Sequence, residues 1–205
     1  MKTIVAFVIA ATFFSTYINS EVSQKYILTG GPCAGKSSTL LELESLGEEI
    51  VHEAATDVCL RLIAKGINEP YKKLGFNEEI LKLQQHRQRC ASRNQSKRVI
   101  FDRSPVDVGV YYDRFNLSRT PELELALKEI HQNNFYEKTV FLLEQLNKFE
   151  ATDVRSETAE EALEIERMLE NEYIRHGFNV VRIPQNTVEK RAEQILNYIN
   201  GKSTL

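Results

Sequence analysis

Residues 30–37 read Gly-Gly-Pro-Cys-Ala-Gly-Lys-Ser, and the run Lys25 to Thr29 just before them is short and apolar, like a strand. The octapeptide fits G-x-x-x-x-G-K-[ST], and Ser38 to Glu44 continue as a helix start. Few local patterns restrict a fold as strongly. The glycines let backbone N–H groups turn inward around a phosphate. The helix N-terminus adds the positive end of its dipole, the lysine reaches β- and γ-oxygens, and the hydroxyl faces Mg²⁺. The candidate phosphate-binding residues are Gly30, Gly31, Pro32, Cys33, Ala34, Gly35, Lys36, Ser37 and Ser38, with Ser37 also a candidate Mg²⁺ ligand. A glycine-rich surface turn is the competing reading, and the strand-before, helix-after context counts against it. Cys33 reads as a small tolerated residue; the alternative is a redox switch, because a helix N-terminus lowers a thiol pKa.

A loop of this kind needs more strand–helix units beside it, and the chain supplies them. Glu49 to His52, Arg98 to Asp102, Thr139 to Leu143 and Asn179 to Ile183 are near-continuously apolar, as parallel strands covered on both faces are. Between them the period changes to that of a helix. Leu123, Ala126, Leu127 and Ile130 form one stripe, Val188, Ala192, Ile195, Leu196 and Ile199 another, Phe76, Ile80, Leu83 and Cys90 a third. Ala162, Ile165, Leu169 and Tyr173 form a fourth, ended by His176-Gly177, where glycine suits the left-handed C-cap. The expected architecture is a three-layer α/β/α fold with a five-stranded parallel sheet and right-handed crossovers. With 205 residues, 42% of them hydrophobic, there is material for one core. The 26 basic residues are outnumbered by 29 acidic ones, so no general nucleic-acid affinity is expected and any positive site must be local.

Met1 to Ser20 stand apart. One lysine, an apolar run from Thr3 to Ile18 and a small residue before Glu21 have the layout of a secretory signal peptide. An uncleaved membrane anchor is the second reading, for which the run is short; a buried N-terminal strand or an upstream start codon is the third. The chain divides into residues 1–20 and a domain over 21–205, with membrane contact expected only through the first part. The sequons at Asn94 and Asn116 matter only in a secretory lumen. Cys33, Cys59 and Cys90 are too few and too far apart for a disulfide framework and point to a reducing compartment. Leader and cysteines thus give opposite addresses: secreted or membrane-associated on one side, cytoplasmic on the other.

From Tyr26 to Ile199 the chain resembles the NadR-like P-loop kinase domain family, which also contains the TRPL translocation defect proteins. The resemblance is carried by YILTGGPCAGKSS, VHEAAT after the second strand, VIFDRSP at the third, VFLLE at the fourth, VRSE beyond it and FNVVRIP at the fifth. It implies a nucleoside- or nucleotide-kinase-like fold, Mg²⁺ as the metal and ATP, or else GTP, as the nucleotide. Related kinases place an acid–arginine pair where Asp102-Arg103 stand. A mobile lid follows the fourth strand in such kinases, and Arg155 matches the family's arginine there.

Position in the sheet agrees with that transfer of roles. Asp102 and Arg103 end the third strand, at the carboxyl edge where open α/β sheets build their sites. Asp102 is suited to the Mg²⁺ shell or to accepting the proton of an attacking hydroxyl, and Arg103 to holding phosphate. An N-capping aspartate with a surface-paired arginine is the bland alternative. Asp107 is a second, weaker candidate. Glu53 follows the second strand at the same edge and is a candidate substrate or catalytic group, with Asp57 a first-turn helix acid. Arg155 is the candidate lid arginine, with Lys148 and Arg167 in reserve. Glu157, Glu160, Glu161 and Glu164 read as a solvated helix start without a metal role. Pro184 to Thr187 are expected beside the base, and Gln85, Arg87 and Arg89 either line an acceptor pocket or form an exposed charged face.

Two functions compete. The first is a small-molecule kinase passing the γ-phosphate of Mg·ATP to a nucleoside-like or other small hydroxyl acceptor. The second is a GTP- or ATP-dependent binding module without metabolic turnover. No aspartate in the chain is followed three positions later by glycine, as a G-protein switch requires. Asn147-Lys148-Phe149-Glu150 imitates a guanine-reading element but carries Glu for Asp. These features favour the kinase.

Overall fold

The computed structural model describes residues 23–73, 75–91, 96–132, 134–146 and 158–202. The leader-like segment 1–20 and the sequon at Asn94 lie outside the described residues, as do Lys148, Arg155 and Glu157. Five strands, β1 Gln24–Thr29, β2 Glu49–Val51, β3 Arg98–Asp102, β4 Thr139–Leu143 and β5 Asn179–Ile183, form one parallel sheet in the order β2-β3-β1-β4-β5. The five expected strands are all present, with β2 stopping at Val51 so that His52 starts the turn. Leu28 of β1 stands opposite Asp102 of β3, and Val51 of β2 opposite Phe101. That register brings the residues after all three strands to one edge.

Among the described residues seven α-helices flank the strands: α1 Lys36–Ser45, α2 Ala54–Ala64, α3 Phe76–Ala91, α4 Pro105–Arg114, α5 Pro121–Gln132, α6 Ala159–Arg175 and, after β5, α7 Val188–Ile199. Alternate strand residues face opposite layers. Ile27, Val99, Phe101 and Val140 enter a core under α3 to α6 with Leu123, Leu127, Ile165 and Leu169. Tyr26, Leu28, Ile100, Phe141 and Leu143 enter a second under α1 and α7 with Leu40, Leu43, Ala192 and Ile195. Each such fully buried Leu, Ile or Phe contributes roughly 2–3 kcal/mol of transfer free energy, which is what holds helices on both faces of the sheet.

The stripes of α5 and α6 are buried as the spacing predicts, and α6 ends with Gly177 at φ +74°. The α3 stripe is corrected. Its buried residues are Leu81, Gln84 and Ala91, and Cys90 is exposed. The reason is polar: the Gln84 side-chain amide turns inward to donate to the Arg103 carbonyl (3.2 Å), so a reading of apolar spacing alone rotates the helix. Helix α4 shows no stripe because seven of its ten residues are buried, leaving no polar face to contrast. Among the described residues no helix is long and apolar enough to cross a membrane, and no disulfide is formed.

Candidate active site

The loop between β1 and α1 is shaped by glycine where side chains will not fit. Gly30 has φ +147°, and a Cβ there would lie 2.6 Å from the Leu143 carbonyl oxygen; one on Gly31 would lie 2.6 Å from that of Ala162. Both positions need glycine because backbone, not a movable side chain, is the obstacle. Cys33 adopts φ +60° and Gly35 φ +81°, so the chain turns twice before α1 begins. The first helical bond runs from Thr39 N–H to the Gly35 carbonyl (3.0 Å), so the N–H groups of Lys36, Ser37 and Ser38 precede it and have no acceptor within the helix. Ser37 and Ser38 are exposed at this end.

Lys36 is buried, and its ammonium donates to the Gly30 (2.8 Å) and Gly31 (2.7 Å) carbonyls of the same loop. Burial, and then the positive charge of Arg103, lower its pKa to about 8 against the pull of Asp102 and Glu53. Asp102 is buried at the end of β3 with its Oδ1 lacking any hydrogen-bond partner. Burial and the neighbouring Glu53 carboxylate raise its pKa to about 6. A lysine and a carboxylate both pushed toward neutrality thus stand at the positions the sequence marks for phosphate and for Mg²⁺ or proton transfer.

Arg103 takes φ +69°, a left-handed conformation seldom adopted by a residue with this side chain. Its backbone is held on both sides, N–H to the Leu28 carbonyl (3.0 Å) and carbonyl to Gln84. The turn carries the guanidinium to Glu53 (Nε to Oε1, 2.7 Å) and Asp107 (3.3 Å), with the Tyr111 ring 5.7 Å away. Burial opposes the charge on both partners, yet Arg103 and Lys36 hold Glu53 below the usual carboxylate range, and Glu53 leads the groups that hold Arg103 charged. This is an internal ion pair, so the reading of Arg103 as surface-paired is set aside. Ser104, not Asp102, caps the helix that follows: it accepts from Val106 N–H, with Pro105 in the first turn.

Asp107 has every lone pair committed. It accepts from Thr29 Oγ1 (2.6 Å), Arg103, Ser104 N–H (2.9 Å) and Tyr173 Oη (2.5 Å), which makes it the strut of the site. Arg87 donates to the His52 (2.8 Å) and Glu53 (2.7 Å) carbonyls and to the Asp57 carboxylate, so it holds the loop that carries Glu53. Arg89 and Arg167 are exposed. Pro184 offers its carbonyl to Arg191. Lys36, Glu53, Asp102, Arg103 and the loop residues therefore converge; Arg155 and Lys148 lie outside the described residues. Sequence reasoning missed Thr29, Gln84, Tyr173 and Arg191 as site residues. The signal for two of them was present, since Gln84 and Arg191 are polar residues beside the apolar stripes of their helices.

A family model described as an AAA domain matches residues 25–191. No curated protein matches the chain. Among solved structures, the NadR protein in complex with NR aligns with a TM-score of 0.66 at 15% identity, over 91% of this chain and 52% of that one. The deoxyadenosine kinase of M. mycoides aligns at 0.56 with 20% identity, over 87% and 100% of the two chains. The thymidylate kinase of Candida albicans aligns at 0.55 with 14% identity, over 87% and 92%. The chain spans about half the length of the NadR protein and nearly all of the two kinases. At such identities the likeness is one of fold, and the fold is that of the P-loop nucleoside and nucleotide kinases. With a family model spanning most of its length, the chain belongs to the AAA-domain family and has the fold of the NadR-like P-loop kinases.

Proposed function

We propose that the protein is a phosphotransferase that moves the γ-phosphate of Mg·ATP to a hydroxyl of a nucleoside-like or other small acceptor. The observation that carries this is the convergence of Lys36, Asp102 and the Glu53–Arg103 pair on the edge of the sheet where the glycine-rich loop ends. The backbone N–H groups from Gly35 to Ser38 receive the phosphates. Lys36 exchanges the Gly30 and Gly31 carbonyls for phosphate oxygens, a better partner for its charge.

The residues present fit a divalent cation. Asp102 Oδ1 is a buried oxygen without a donor, and the Ser37 hydroxyl is exposed at the helix start. Asp102 and Ser37 would hold a Mg²⁺ brought in with the nucleotide. When bound, it neutralises charge between the β- and γ-phosphates. Asp102 accepts the acceptor's proton, Arg103 holds phosphate charge while Glu53 fixes its direction, and Arg155, outside the described residues, is the candidate partner of the γ-phosphate. Catalysis of this kind is positioning and electrostatics.

A thermal-shift panel tests the reading: ATP and GTP with Mg²⁺, each alone and with nucleosides, ribosylnicotinamide or pantothenate-like acceptors. An acceptor shift that requires ATP supports the kinase, whereas a GTP-only shift supports a nucleotide-dependent binding module. Lys36→Ala should abolish nucleotide binding by calorimetry; unchanged affinity removes the foundation of the proposal.

A further inference from the structure

Arg191 on α7 heads the fully buried side chains, at 1% exposure, and no step above uses it. Its guanidinium donates to three main-chain carbonyls from three segments: Nη1 to Ala34 inside the P-loop (2.6 Å), Nη2 to Glu144 after β4 (2.7 Å) and Nε to Pro184 after β5 (3.0 Å). Burial pulls its pKa below the usual arginine value, with Glu144 and Glu166 opposing. A buried cation is expensive unless its donors are satisfied. A methionine or leucine would fill the same space between α7 and the sheet without that expense. The charge therefore has a use other than packing.

That use follows from peptide geometry. In a trans peptide the C=O of one residue and the N–H of the next point in opposite directions. Holding the Ala34 carbonyl on the guanidinium aims the Gly35 N–H away from it and keeps a carbonyl oxygen from turning into the phosphate hollow, where it would repel an anion. The guanidinium presses close to this peptide, since a Cβ on Gly35 would lie 3.4 Å from Arg191 Nη1. Resting on the P-loop reading above, we propose that Arg191 is a positioning residue for polyphosphate binding: it locks the Ala34–Gly35 peptide with its N–H toward the phosphates and ties the loop to the ends of β4 and β5.

Calorimetry on the full chain tests this with two probes, Mg·ATP and inorganic tripolyphosphate, the second lacking base and ribose. It is run well below the unfolding temperature, with folding of every variant checked by circular dichroism. Arg191→Met should weaken both probes by about tenfold or more, the equivalent of one hydrogen bond to a charged group. Arg191→Lys, which keeps the charge but reaches fewer carbonyls, should fall between, and millimolar methylguanidinium should restore affinity to the Met variant. Wild-type tripolyphosphate affinity in a folded Arg191→Met chain overturns the proposal. So does a loss confined to ATP, which would assign Arg191 to the base. If the Met variant does not fold, wild-type affinity in Arg191→Lys overturns it equally. If the unaltered chain binds neither probe, the P-loop reading fails first and takes this inference with it, an outcome distinct from binding that survives the substitutions.

Discussion

Lys36 and Asp102 are both buried and feel each other's charge, and their pKa values are drawn together, to about 8 and about 6. A base that must be ionised and a lysine that must stay charged then work together only between those values. On the phosphotransferase function proposed above, kcat/KM should be bell-shaped in pH, with limbs near 6 and near 8, because this ratio reports the free protein. A stopped or continuous phosphate-transfer assay across pH 5 to 10 checks it. A flat profile would separate the two groups from the chemistry. The same perturbation acts on stability. Asp102 has a folded pKa above its usual 3.8, so the native state binds more protons between about 4 and 6 and loses stability as pH rises through that window. Above it the penalty is complete. Asp102→Asn should therefore stop the proposed phosphate transfer and stabilise the ligand-free chain at pH 8 by up to about 3 kcal/mol, read by urea denaturation.

At the scale of elements, α4 and α6 are joined by one buried polar knot. Ser104 and Asp107 form the capping box of α4, and Tyr173 of α6 reaches the same carboxylate while lying 2.8 Å from Ser104 Oγ. Burial first, and the Asp107 charge second, raise the Tyr173 pKa well above its usual value, which keeps the phenol protonated as a donor. Tyr173→Phe should lower stability by roughly 1–2 kcal/mol, since a buried carboxylate loses a donor with almost no change in volume. Denaturant midpoints with an unchanged m-value would show this. Because Asp107 still keeps Thr29, Arg103 and the Ser104 N–H, nucleotide affinity should change little.

At the scale of the whole molecule, the sheet order sets β1 between β3 and β4, so the P-loop has Asp102 and Arg103 on one side and Glu144 on the other. The site is built from parts far apart in the chain, and a nucleotide that touches them all should stiffen the domain as one unit. Saturating Mg·ATP at about a hundred times its Kd contributes about 2.7 kcal/mol, which for a chain of this size is a rise in Tm of roughly 5–10 °C. Scanning calorimetry with and without Mg·ATP measures it; no rise, in a chain whose P-loop is intact, counts against binding at this site.

Local interactions along the chain encode much of this molecule. The glycine spacing and the lysine after it specify a phosphate loop; β-branched and aromatic runs specify five strands; the 3.6-residue stripes of α5 and α6 specify their buried faces. Even the strand-end acids were legible, because parallel strands bring their carboxyl ends to one edge. Tertiary structure alone decided the rest. Glu53 meets Arg103 across 50 residues, Thr29 meets Asp107 across 78 and Arg191 meets Ala34 across 157, pairings that depend on strand order and register. The face of α3 was misjudged for the same reason: Gln84 is buried to satisfy a carbonyl that only the folded chain brings to it. A buried polar group needs its partner, and that partner comes from elsewhere in the fold.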